Sequence, residues 1–116
     1  MNENNCTFDE LELFAKFKKR PGMYFGQPSL LSMRDFLFGM SLAFGFCGYQ
    51  DKFKYSDLFI EWYTENVIKD QNAYACWWNH MLYVSGGSDR QAFEYFLHRF
   101  EIYLSEVHNI SLPEVN

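Results

Sequence analysis

The sequence is poor in cysteine and lacks any long apolar run. Its three cysteines, Cys6, Cys47 and Cys76, are odd in number and form no CxxC pair, which indicates reduced thiols in a cytosolic protein. We expect Cys47 and Cys76 to be small core residues. The longest apolar stretch, residues 36–49, is broken by glycine and serine and is shorter than the about 17 residues that cross a bilayer. The polar, acidic N-terminus shows no secretory signal.

Basic residues are also scarce. Ten lysines and arginines stand against 15 aspartates and glutamates, which gives a net charge of −5. Nucleic acids and anionic membrane surfaces both select basic proteins, so we predict neither as a partner. The acidity is concentrated in residues 55–116, where nine acidic residues against three basic ones give −6. We expect this half of the chain to attract a basic partner.

The motifs of common catalytic and metal sites are absent. The chain has no GxxxxGK[ST], GxGxxG or HExxH string. Glu94, His98 and Glu101 lie one turn apart on a predicted helix, a pattern more typical of a solvated edge than of a metal site. Cys76 and His80 have the spacing of a thiol–imidazole pair, but their apolar surroundings favour an inert thiol. We therefore predict no enzyme, no metal and no other cofactor.

Aromatic residues are abundant, with 13 Phe, 8 Tyr and 3 Trp among 116 residues. The length predicts a single domain, residues 1–116, and the composition predicts a core built from rings. Hydrophobic periodicity and capping residues predict an all-α bundle of about five helices. We expect these helices to begin near Thr7 (with Glu10 in a capping box), Ser29 or Ser32, Ser56, Ala73 and Ser88.

Two of these helices define the predicted core. The second is apolar nearly all round after Asp35, which is typical of a central buried helix. Its small residues Gly39, Ala43 and Cys47 recur every four positions and would let a neighbouring helix approach closely. The last helix has the clearest periodicity, and its predicted inward stripe is Phe93, Phe96, Leu97, Phe100, Leu104 and Val107.

The most distinctive string is Arg20-Pro-Gly-Met-Tyr-Phe-Gly26. It is similar to a loop of the ATPase domains of type II topoisomerases, which would imply a nucleotide site. Those domains are longer and carry a catalytic Glu on an acidic helix and a DxGxG turn, both of which this chain lacks. We therefore interpret the string as a structural loop. Pro21 ends the first helix, Gly22 and Gly26 turn the chain, and Tyr24 and Phe25 enter the core.

The third predicted helix carries acidic residues at every fourth position. Asp57, Glu61 and Glu65 share one face, and we call them the acidic row. Like charges at this spacing each cost about 0.2–0.5 kcal/mol, so the row is either a solvated face or a surface that binds a cationic partner. Further candidate partner-binding residues are Asp70, Glu94, His98 and Glu101.

Several of these features together resemble a group of small all-helical bacterial immunity proteins. They are the string KRPGMYFG, the Phe36-Leu-Phe-Gly39 step in a Phe-rich helix, a Trp-rich segment and a long final amphipathic helix. The likeness covers roughly residues 8–104. Such proteins are encoded beside contact-dependent growth inhibition toxins and other polymorphic toxins. The resemblance implies a cytoplasmic protein that binds and neutralises one cognate toxin domain, often a nuclease, without catalysis.

Two other classes of function stay open. The chain could be a helical adaptor or a homo-oligomeric interaction protein with no toxin partner, since an aromatic excess serves a core or an interface equally well. A small nucleotide-binding module is the less favoured possibility. The sequence alone does not give the oligomeric state.

Overall fold

The structure is a computed structural model that describes residues 7–70, 72 and 76–116, and within these residues the regular elements are all helical. The helices are α1 (Glu10–Lys19), α2 (Pro21–Phe25), α3 (Leu30–Phe46), α4 (Lys54–Tyr63), α5 (Trp77–Val84) and α6 (Asp89–His108). A π-helical turn, Thr64–Ile68, continues α4. The all-α prediction is confirmed. The helix that we did not predict is α2, a short helix where we expected a loop. The predicted start of the fourth helix, at Ala73, lies outside the described residues.

The core is centred on α6, whose predicted stripe is buried from Phe93 to Leu104. The Phe96 ring packs against Phe14 of α1, Phe59 of α4 and Trp77 of α5, at centroid distances of 6.1, 5.2 and 5.4 Å. Helices from three parts of the chain thus meet at one ring. The prediction of burial is wrong only for the last residue of the stripe. Val107 is 50% exposed, because the bundle no longer covers this side of α6 near its C-terminal end.

The prediction that the second helix is central and buried is wrong. This helix, α3, buries only Leu30, Met33 and Leu37, all on one side. Its small residues, including Cys47 after its end, are exposed, so Cys47 is not a core residue either. The physical reason is one of geometry: a helix that is apolar all round needs neighbours on every side, and α6 already occupies the central position.

The first turn of α4 is capped by a side chain from α1. Glu10 is only 6% exposed, and its carboxylate accepts hydrogen bonds from the amides of Tyr55 (2.9 Å) and Ser56 (2.7 Å). The predicted capping box is therefore wrong, since Asp9 and not Thr7 caps α1. Ser56 does not begin α4 either, because the helix starts at Lys54 and the buried Ser56 hydroxyl donates to the Phe53 carbonyl.

The start of α3 is joined to the start of α6 in a similar way. Ser29 caps α3 by accepting from the amide of Ser32 at 3.0 Å, which confirms Ser29 over Ser32 as the cap. The Ser29 hydroxyl in turn donates to Asp89, the first residue of α6, whose carboxylate also accepts from the Leu31 amide at 3.0 Å. Ser88 caps α6 as predicted, with its side chain accepting from the amide of Gln91.

Truncation of Phe100 tests the packing around α6. The Phe100 ring is fully buried between Phe14 and Phe59, so Phe100→Ala leaves a cavity and should lower the free energy of unfolding by about 3–5 kcal/mol. Urea unfolding followed by circular dichroism measures the change. The control Val107→Ala, on the exposed end of the same helix, should change stability by about 0.5–1 kcal/mol at most. Equal effects of the two substitutions would contradict the described core.

The buried Glu10 makes stability depend on pH. Burial raises the pKa of its carboxyl above the ordinary value of 4.5, and the hydrogen bonds from Ser56 and Tyr55 oppose this shift. The folded state then holds the proton more tightly than the unfolded state. Stability is therefore greatest below the unfolded pKa and falls as pH rises through the folded one.

We accordingly expect wild type to lose stability relative to Glu10→Gln between about pH 4 and pH 7, since the amide does not titrate. Urea unfolding of both proteins across this range gives the difference directly. Parallel pH profiles, or a difference of the opposite sign, would show that the folded pKa of Glu10 is not raised.

Candidate partner-binding site

The acidic row is displayed to solvent. Asp57 and Glu61 lie on α4 and Glu65 on the π-helical turn, and the side chains of all three are exposed. No lysine or arginine of the described residues forms an ion pair with any of them. Lys69, which the sequence places one turn after Glu65, has a left-handed backbone at the end of the π-helical turn. The negative charge of the row is thus not neutralised by the described part of the chain.

Asp57, the first residue of the acidic row, lies close to Asp51 in the loop that precedes α4. Although Asp57 is exposed along one side, neighbouring atoms displace water from its carboxyl group and raise its pKa, and the nearby charge of Asp51 raises it further. Both carboxylates line an open depression of about 280 Å³ between this loop and Ser41 of α3. The acidic surface therefore includes Asp51, which the sequence reasoning missed because the residue belongs to no helix and its proximity depends on the fold.

Asp70 lies just beyond the π-helical turn. It is exposed, and its carboxylate accepts a hydrogen bond from the amide of Asn72 at 3.0 Å. This local bond shapes a turn, which is a common role of aspartate between helices. Asp70 therefore follows the acidic row in sequence and adds one more exposed negative charge after Glu65.

The other candidates lie on α6. Glu101 forms an ion pair with Lys18 of α1 at 2.9 Å, and Glu94 lies 3.8 Å from Arg90. His98 is exposed between them and lines the same open groove of about 280 Å³ as both glutamates and Lys18. Glu101 is thus partly neutralised within the fold, unlike the acidic row.

The structure separates the candidates into two surfaces. Tyr95, Arg99 and Tyr103 of α6 face α4, as shown by the contacts of Tyr95 with Tyr63 and of Tyr103 with Phe59. Glu94 and Glu101 lie on the opposite flank of α6, beside α1. The acidic row and the α6 group therefore do not form one continuous patch.

Cys76 and His80, whose spacing resembles that of a thiol–imidazole pair, are not joined by a hydrogen bond. His80 Nδ1 lies 2.7 Å from the hydroxyl of Tyr63, which donates to Tyr95 at 3.0 Å, and no hydrogen bond among the described residues joins His80 to Cys76. Burial lowers the pKa of His80 and raises that of Tyr63. Cys76 is only half-buried, so the prediction that it is a core residue is wrong: it lies just before the first turn of α5, at the edge of the core. Within residues 7–70, 72 and 76–116, no group of three or more His, Cys, Asp or Glu side chains is placed to hold a metal ion.

The RPGMYFG segment packs against the core. Tyr24 and Phe25 contact Phe17 of α1 at centroid distances of 5.3 and 4.8 Å, as the structural interpretation predicted. Gly26 has a positive φ of 77° and ends α2, whereas Gly22 lies within α2 and has no positive φ. The crevice beside Arg20 and Tyr24 measures about 100 Å³, well below the about 300 Å³ of the smallest ordinary ligand pockets.

An exposed apolar surface on α3 is the feature that sequence reasoning missed most completely. Phe38, Leu42 and Phe46 all face solvent. The sequence contained a signal for it, because three aromatic or aliphatic residues at every fourth position mark one helix face. We assigned that face to the core because the whole segment is apolar.

Comparisons with known proteins identify no relative. No protein-family model, no curated protein and no solved structure matches the chain. The resemblance to immunity proteins therefore stays a prediction, and the case for a function depends on the surfaces described above. No helix of the described residues has both the length and the apolar character needed to cross a membrane.

Calorimetry with ATP and magnesium tests the interpretation of the RPGMYFG segment. We expect no binding heat, because the crevice beside α2 is small and the Tyr24 and Phe25 rings pack against the core. Gly22→Ala is a suitable probe, since an added Cβ meets no atom within 4 Å and the fold should be unchanged. Micromolar binding that is lost in Gly22→Ala would establish a nucleotide site.

Proposed function

We propose that this chain is an immunity protein that binds a basic toxin domain through the acidic row. The observation that carries the proposal is the exposure of Asp57, Glu61 and Glu65 without a basic partner in the described part of the chain. A stable fold gains nothing from uncompensated like charges on one helix. A surface that meets a cationic partner gains both association rate and specificity from them.

The charge of the row defines the kind of partner. Nucleases hold phosphates with lysine and arginine, so a nuclease toxin domain presents a basic cleft that an acidic helix can occupy. Asp51 adds a negative charge beside Asp57 at one end of the row, and Lys52, which lines the same depression, offsets part of it. In this role the protein acts in the cytoplasm by occlusion and needs no catalytic group or cofactor.

The size of the molecule is sufficient for such a complex. A typical stable interface covers about 800 Å² on each partner. The whole described molecule exposes 7240 Å², so an interface of ordinary size would occupy about one-ninth of its surface. The α4 helix, its π-helical turn and the loop that contains Asp51 would form the centre of this area.

Charge reversal tests the proposal. Glu61→Lys/Glu65→Lys should weaken binding to the toxin domain encoded next to this protein by at least about 100-fold, because desolvated charge pairs typically contribute about 2–5 kcal/mol each. The fold should be retained, since exposed substitutions usually change stability by about 0.5 kcal/mol or less. Surface plasmon resonance at two salt concentrations gives the affinity, and the wild-type association rate should fall at the higher salt.

A matched control separates local from overall charge. Glu94→Lys/Glu114→Lys changes the net charge by the same amount on side chains that line grooves beside Lys18 and Glu101. This control should bind as wild type does. Loss of binding in the control alone would place the interface on α6, around Glu94, His98 and Glu101. Wild-type affinity in both variants, or a gene neighbourhood without a toxin, would contradict the proposal.

A further inference from the structure

The C-terminal half of α3 presents an apolar ridge to solvent. Phe38 is 56% exposed, Leu42 62% and Phe46 84%, and their spacing of four residues places them in one row along the helix. The opposite side of α3 carries the residues that pack into the core, Leu30, Met33 and Leu37. The helix is therefore apolar on two faces, and the fold of one chain covers only one of them.

A shallow groove of small residues runs beside the apolar ridge. Gly39, Ala43 and Cys47 each follow a ridge residue by one position, and all three are exposed. A Cβ atom built on Gly39 meets nothing within 4 Å outside its own helix backbone. The chain itself therefore leaves this groove unfilled.

The ridge and the groove are complementary in shape. Helices commonly pack by placing the i±4 ridge of one helix into the i±4 groove of another, at a crossing angle of about −50°. Here both elements lie side by side on one helix. The surface can consequently pair with an identical surface, which is the requirement for a two-fold symmetric dimer.

We propose that a second copy of this chain docks on α3, with the ridge of each copy in the groove of the other. Charge favours a second copy over the basic partner proposed for the acidic row. Residues 36–50 contain no charged side chain, although the chain as a whole carries −5. The ridge is therefore uncharged from Leu42 to Phe46, and the charged residues beside its Phe38 end, Arg34 and Asp57, have opposite signs. Two copies can consequently meet here without net like-charge repulsion. Asp35, at the start of the ridge, is already paired with Arg34 at 2.9 Å.

The exposed area is consistent with a weak dimer. A large apolar side chain has a total surface of about 150–250 Å². At their exposed fractions, the three ridge residues together expose on the order of 400 Å² per copy. The pair would bury about twice this area, and the small residues between the ridges bring the total close to the about 1,000 Å² expected of a specific interface. We therefore expect dissociation in the micromolar range.

Analytical ultracentrifugation of the whole chain, from about 1 to 200 µM, tests the proposal. Wild type should change from monomer to dimer across this range. Leu42→Glu should remain monomeric throughout, a weakening of about 100-fold or more, because the symmetry places two new charges in one apolar interface. A wild type that is monomeric at the highest concentration, or a Leu42→Glu variant that still dimerises, would overturn the proposal.

A second variant distinguishes specific packing from general stickiness. Gly39→Leu adds apolar surface but fills the groove, so ridge-into-groove packing predicts weaker dimerisation whereas non-specific association predicts stronger dimerisation. The control Val107→Glu adds a charge at an exposed apolar position on α6 and should leave the dimer intact. Circular dichroism and thermal melting confirm that each variant is folded.

The effect of salt distinguishes dimerisation through the apolar ridge from toxin binding through the acidic row. Raising salt from about 50 to 500 mM screens the repulsion between two acidic copies and should leave dimerisation unchanged or strengthened. The same change should weaken toxin binding, which depends on opposite charges. Dimerisation that is lost at high salt would contradict an apolar interface. Either result leaves the test of the acidic row unaffected.

Discussion

The packing of aromatic rings along one side of α6 determines the arrangement of the other helices. Phe96 alone contacts rings from α1, α4 and α5, and Phe93 contacts Phe25 of α2. Rings packed edge to face are favourable in only a limited set of orientations. Because α1, α2, α4 and α5 each approach α6 through ring contacts, the face that each of them turns outward is fixed at the same time. The orientation of α3 is set instead by its buried aliphatic side chains, Leu30, Met33 and Leu37.

The two surfaces of interest follow from which side chains each helix directs into the core. With Phe59 and Tyr63 directed into the core, the acidic residues of α4 must lie on its outer side. With Leu30, Met33 and Leu37 directed inward, α3 must expose Phe38 and Leu42. The exposed face of α3 is apolar and the outer side of α4 is acidic, and the two meet at a crevice that Phe38 and Asp57 both line.

Local sequence patterns predicted the features that depend on neighbours in the chain. The Ser88 cap and the buried stripe of α6 from Phe93 to Leu104 arise within a few helical turns and were correctly predicted, and Ser29 was one of two predicted caps of α3. Local patterns were not always sufficient, since the predicted caps at Thr7 and Ser56 were wrong. Features that depend on distant residues were not predictable in this way. The cap that Glu10 provides to α4 joins residues 45 and 46 positions apart, and no periodicity encodes it. The prediction that α3 is buried was wrong for the same reason, since the burial of a helix depends on which helix occupies the centre of the bundle. The exposure of the acidic row was expected, but its extension by Asp51 was not.

The carboxylates of Glu10 and Asp89 have a consequence for how the chain folds. Glu10 completes the first turn of α4, and Asp89 completes the first turn of α3 from a position 58 residues away. Until a distant helix has docked, the amides of Leu31, Tyr55 and Ser56 lack these carboxylate acceptors and are hydrogen-bonded to water. The helices are therefore poor independent folding units, and their formation is coupled to assembly of the bundle. Hydrogen exchange at the amides of Leu31, Tyr55 and Ser56 should in consequence report global opening of the bundle and not local fraying.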